Sequence, residues 1–119
     1  MVTLNSFKYA FKGLRAVLSS ERNARIHLAF ATLAVALGLY FHIESGHWLL
    51  VILAISLVFF AEITNTAIEK TLDLLATENN QIVRIVKDMT AAGVLVCAIA
   101  ALAIGVAIFA PKIIELFVR

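Results

Sequence analysis

Hydrophobic residues in this chain gather into three long blocks separated by short polar stretches, and a shorter periodic segment precedes them. In that segment Leu4, Phe7, Phe11, Leu14 and Leu18 recur at steps of three and four residues, and Lys8, Lys12 and Arg15 fall on a neighbouring stripe. The spacing predicts an amphipathic helix over about 2–20, lying in a membrane surface with its basic side chains at headgroup level. A soluble amphipathic helix packed on a partner is the alternative reading of the same pattern. The blocks themselves predict spans at about 26–43, 47–68 and 89–110, the last stopping at Pro111. A bilayer calls for roughly 20 apolar residues, so the third block qualifies alone and the first is short. The second qualifies only with Glu62 inside the bilayer or at its edge. ESGH at 44–47 predicts a tight polar turn that makes the first two spans an antiparallel pair.

Composition agrees with that pattern. Of 119 residues, 62% are hydrophobic and 15% charged, and the mean hydropathy is +0.97. Soluble domains carry about 45–50% apolar and about 25% charged residues, so the expectation is a single-domain, all-α membrane protein. Cys97 is the only cysteine, which excludes an intrachain disulfide and a thiolate metal cluster and leaves a small packing residue. A net charge of +2, with no basic run interleaved with aromatics, argues against nucleic acid. Lys8, Lys12, Arg15, Arg22 and Arg25 interrupt the N-terminal segment, so it does not read as a signal peptide.

Charge also suggests an orientation. Five Lys and Arg precede the first span and three (Lys70, Arg84 and Lys87) lie in the 70–88 connection. The 44–47 turn has none and the tail has Lys112 and Arg119. The bias places the N-terminus and the 70–88 connection in the cytoplasm. Six of the eight acidic residues fall on that same side, which the orientation rule does not explain. In the third span Gly93, Cys97, Ala101 and Gly105 repeat every four residues, a spacing that lets helices approach closely and predicts self-association.

The acidic excess is concentrated in EITNTAIEKTLDLL at 62–75. On a helix Glu62, Asn65, Glu69 and Asp73 fall within an arc of about 80°, with Glu62 and Glu69 two turns, about 10 Å, apart. Ile63, Ala67 and Leu74 point the other way. An ionisable residue at headgroup depth must find a partner and is usually functional, although pairing with an arginine or capping a helix contact would also satisfy Glu62. Glu21, Lys87 and Asp88 belong to the same membrane face. Carboxylates with water and phosphate oxygens make a natural magnesium site, and magnesium, a lysine on phosphate and a carboxylate base form the minimum set for phosphoryl transfer. No phosphate-cradling loop accompanies them, because glycines occur only at 13, 38, 46, 93 and 105. His27, His42 and His47 lack zinc-ligand spacing, and the last two border the outer turn as interfacial residues.

At this point the chain resembles a known group. FKGLRA at 11–16, ERNARIH at 21–27, EITNTAIEKTLD at 62–73 and KDMTAAGVL at 87–95 are similar to the small prokaryotic membrane lipid kinases, the diacylglycerol and undecaprenol kinase family. The resemblance covers nearly the whole chain. It implies a homotrimer of three-span subunits, each with an N-terminal surface helix, whose sites form between subunits. It implies Glu62 as the general base on the lipid hydroxyl, and Asn65, Arg15, Arg25 and His27 on the lipid side. Glu21 and Glu69 would hold the magnesium that accompanies ATP. Lys87, Asp88, Tyr9 and the Glu78, Asn79 and Asn80 stretch would approach the nucleotide. As to the acceptor, the diacylglycerol type carries a carboxylate where this chain has His27, and the undecaprenol type commonly shows the RIH found at 25–27. The undecaprenol type also often has His-Pro in the cytoplasmic connection, which TENNQ at 77–81 lacks. The balance favours undecaprenol. Rivals from other classes are a small proton-coupled transporter or channel subunit using Glu62, and a noncatalytic scaffold built on the small-residue face.

Overall fold

The computed structural model describes residues 3–75 and 80–118. Four helices follow one another: α1 (Leu4–Ser20), α2 (Arg22–Phe41), α3 (Ser45–Leu75) and α4 (Gln81–Val118). Helix α1 starts on a capping box. The Thr3 hydroxyl accepts from the Ser6 N–H and the Ser6 hydroxyl accepts from the Thr3 N–H, each at 3.4 Å. Leu4, Phe7 and Phe11 stay exposed along it, as an amphipathic helix meant for a membrane surface requires.

One residue separates α1 from α2. Glu21 takes extended dihedrals (φ −111°, ψ 117°), and its side chain caps neither helix. Arg25 Nη1 closes the joint by donating to Leu18 O at 2.9 Å and Ser19 O at 3.1 Å, so a guanidinium satisfies the last carbonyls of α1.

Helix α2 ends at His42, whose left-handed dihedrals (φ 51°, ψ 53°) reverse the chain. The turn occupies 42–44, since α3 already begins at Ser45; most of the predicted ESGH turn is therefore the first turn of a helix. Gly38 lets the two helices close here. A Cβ at that position would lie 2.6 Å from Trp48 Cη2 and 3.2 Å from Ile43 Cδ1. Around this point Ile43, Val51, Ile108 and Phe109 form a buried cluster, flanked by Leu37, Trp48 and Ile104.

Helices α3 and α4 have 31 and 38 residues, both longer than the predicted spans. At 1.5 Å per residue these are about 46 and 57 Å, well beyond the roughly 30 Å of hydrocarbon. Contrary to expectation, α4 does not stop at Pro111 but runs through it. The missing N–H removes a single bond four residues back, a loss that apolar spanning helices accommodate. All three of α2, α3 and α4 are long and apolar enough to cross a membrane. Their large side chains, among them Leu39, Leu49, Phe60 and Leu102, point outward. That is an inverted exterior, and the protein is a membrane protein. The small-residue stripe is loosely packed within the chain: a Cβ at Gly93 or Gly105 meets nothing within 4 Å, Gly93 is exposed, and Ala101 and Gly105 line an internal cavity.

Candidate active site

Burial along α3 follows Val51, Ala54, Val58, Glu62 and Thr66, at steps of three and four. The apolar half of this stripe packs α3 against its neighbours; the polar half inherits the same burial because the helix does not bend away. Glu62 is thus only 2% exposed. Its Oε1 lies 3.2 Å from His27 Nε2, a side chain one turn into α2 beyond the fully buried Ala24. The approach is close enough for an ion pair, but the ring N–H is not aligned on the lone pair, so Oε1 has no well-directed hydrogen bond. Glu21, at the α1–α2 joint, and Glu69, two turns along α3, stand near enough for their charges to act on Glu62. Three carboxylates therefore lie on one side of the bundle without forming a single cluster. Only one of them is buried.

Asn65 and Thr66 complete the inner face. Asn65 Oδ1 and Thr66 Oγ1 are buried without a hydrogen-bond partner among the described residues. Thr66 was missed in the sequence because its hydroxyl is chemically bland. Its spacing of four from Glu62 was the available signal, since at 100° per residue it lies about 40° from the carboxylate.

Further along, Lys87 Nζ donates to Asp73 Oδ1 at 2.6 Å, joining α4 to the far end of the α3 stripe. Lys87 thereby reaches the stripe one turn beyond Glu69, not Glu62 itself. Asp88 is exposed beside it. On α1, Tyr9 and Arg15 are exposed, and Lys12 Nζ stands 5.7 Å from the Tyr9 ring centre. Arg25 is engaged with the α1 carbonyls, as above. Asn80 caps α4, its Oδ1 accepting from the Ile82 N–H at 2.9 Å and the Val83 N–H at 3.2 Å. Glu78 and Asn79 lie outside the described residues.

Among the described residues, no group of three or more His, Cys, Asp or Glu side chains is placed to hold a metal by itself. Glu21 and Glu69 nevertheless suit magnesium, which is usually held by one or two carboxylates with phosphate and water completing its shell. Below His27 a cavity of about 510 Å³ opens between α2, α3 and α4, lined by Phe30, Ala34, Val58, Ala101 and Phe109. Its walls are almost wholly apolar and its polar end is His27. Glu62 is not part of that lining and meets it through His27.

Residues 8–109 match the family described as prokaryotic diacylglycerol kinase. The chain belongs to that family. It is 33% identical to the undecaprenol kinase of Bacillus subtilis over 91% of this chain and 88% of the relative. It is 32% identical to a diacylglycerol kinase of Synechocystis, over 97% of this chain and 66% of the relative. It is also 33% identical to the diacylglycerol kinase of Escherichia coli, over 78% of this chain and 76% of the relative. The protein is accordingly a membrane lipid kinase, and the transporter and scaffold readings fall away. Identity does not separate the two acceptor types.

Proposed function

We propose that this kinase uses ATP with Mg²⁺ to phosphorylate the hydroxyl of undecaprenol, giving undecaprenyl phosphate, at the cytoplasmic face of a bacterial inner membrane. One observation carries the reading: a buried carboxylate, Glu62, stands 3.2 Å from His27, the polar residue lining an apolar cavity, and two less buried carboxylates lie near enough for their charges to act on it. The arrangement suits a lipid alcohol that enters tail-first and offers its hydroxyl to Glu62. Glu62 takes the hydroxyl proton as the oxygen attacks the γ-phosphorus, and the bond to the bridging oxygen of ADP breaks. Asn65 orients the acceptor. Glu21 and Glu69 hold the magnesium, which when bound neutralises charge on the phosphates. Lys87, Asp88 and Tyr9 approach the nucleotide, as do Glu78, Asn79 and Asn80 in the adjoining connection. Arg15 and Arg25 border the lipid side.

The undecaprenol choice draws on the Bacillus subtilis relative, of which the match spans 88% against 66% and 76% of the two diacylglycerol kinases, and on the RIH at 25–27. Diacylglycerol, giving phosphatidic acid, is the second reading, favoured by the Synechocystis and Escherichia coli relatives. We infer a homotrimer with its N-terminus in the cytoplasm, because three thin helices alone leave Gly93 and many large apolar side chains of α2, α3 and α4 exposed and the basic residues favour that orientation. Purified protein, labelled ATP, Mg²⁺ and a panel containing undecaprenol and diacylglycerol test this directly. Preferential labelling of undecaprenol is expected. Labelling of diacylglycerol alone would select the second reading, and labelling of neither would end the proposal.

A further inference from the structure

A buried carboxylate needs a donor or a cation, and the surroundings of Glu62 supply little choice. Glu21 and Glu69 are acids. Arg25 is committed to the carbonyls of Leu18 and Ser19. Lys87 is committed to Asp73, and Asp88 beside it on α4 is acidic and exposed. Among the described residues, His27 is the one basic side chain within ion-pairing distance of Glu62. Its own side chain is 22% exposed against 3% for Glu62, so it stands between the carboxylate and the outside.

We propose that His27 is a positioning residue for Glu62: its Nε2–H holds Oε1, so that Oε2 is the oxygen presented to the lipid hydroxyl. The inference rests on the reading of Glu62 as the base. It differs from a lipid-binding role for His27, because the imidazole then acts through the carboxylate. A small ring rotation converts the 3.2 Å ion-pair contact into an aligned hydrogen bond. In the transfer step the hydroxyl O–H bond breaks and its proton passes to Oε2. The new bond joins the lipid hydroxyl oxygen to the γ-phosphorus, and the bond from that phosphorus to the bridging oxygen breaks, leaving its electron pair on ADP. His27 keeps its own proton throughout. The ring also forms the polar end of the apolar cavity, so the group that orients the base marks where the hydrocarbon must stop.

The test compares wild type, His27→Leu and His27→Gln in full-length protein with undecaprenol and labelled ATP. His27→Leu fills similar space without a donor and is expected to lower kcat roughly 10²-fold, the usual consequence of a misplaced catalytic group, with KM for ATP unchanged. His27→Gln keeps an N–H donor and is expected to recover most of that loss. A packing role would give the opposite order, with Leu tolerated and Gln not. A lipid-binding role would raise KM for undecaprenol and spare kcat; either result overturns the inference. A second arm needs no turnover. In protein labelled with ¹⁵N-histidine, the His27 signals, identified by their loss in His27→Gln, are expected to move in Glu62→Gln, and unmoved signals would overturn the pairing. Wild-type protein that phosphorylates no lipid alcohol would remove the proposed reaction, and the resonance arm would still decide whether His27 holds Glu62.

Discussion

Lys87 and Asp73 tie α4 to α3 across the connection between them, with Nζ and Oδ1 2.6 Å apart. Asp73 is well exposed, at 64% of its side chain, so the pair contributes little to stability. Exposed ion pairs are worth about 0–1 kcal/mol. Asp73→Asn is expected to leave thermal unfolding within that range while changing KM for ATP severalfold, because it frees the lysine proposed to meet phosphate. Unfolding in detergent micelles and steady-state kinetics check the two halves separately.

Replacing Glu62 by Gln removes the proton acceptor and keeps the side-chain shape. General bases contribute about 10²–10⁴-fold to rate, so turnover is expected to fall by that order. Nucleotide affinity should stay near wild type. A variant with more than half of wild-type activity would strip Glu62 of its proposed role.

For Glu21→Ala and Glu69→Ala the loss should appear in a different place. Both are expected to raise the Mg²⁺ concentration needed for half-maximal activity, by about tenfold or more for each lost carboxylate, if that costs about 1.4 kcal/mol. Magnesium titrations at fixed ATP measure it. Calorimetric nucleotide binding that is insensitive to both substitutions would remove the metal assignment.

At the opposite end of the bundle, Gly38→Ala places a methyl group 2.6 Å from Trp48 Cη2, and Trp48 must move to admit it. Overpacking of this kind costs about 1–3 kcal/mol. Reduced thermal stability in Gly38→Ala, relieved by adding Trp48→Leu, is the expected outcome.

The polar stripe was legible because helical periodicity survives the passage from lipid to water: Glu62 and Glu69 lie on one face of α3 as their spacing required. The degree to which Glu62 is buried was not legible, since burial depends on α2 arriving beside it with Ala24 and His27. The break at Glu21 carries neither glycine nor proline, so nothing in the local sequence announced that Arg25 would be spent on the end of α1. Asn80 could have been recognised as a cap, standing just ahead of the helical spacing of Ile82, Ile85, Val86 and Met89. Pro111 misled for a physical reason: the rule that proline ends helices was learned in water, where freed carbonyls have somewhere else to go.

The single extended residue between α1 and α2 has a mechanical consequence. Glu21 is the elbow where a helix built to float on the headgroups meets one built to plunge through them. The proposed metal ligand is therefore hinged to the local slope of the bilayer. Tightly curved micelles, which tilt the floating arm, should misplace that carboxylate even while the spanning bundle stays intact, whereas a flat lipid disc should restore it.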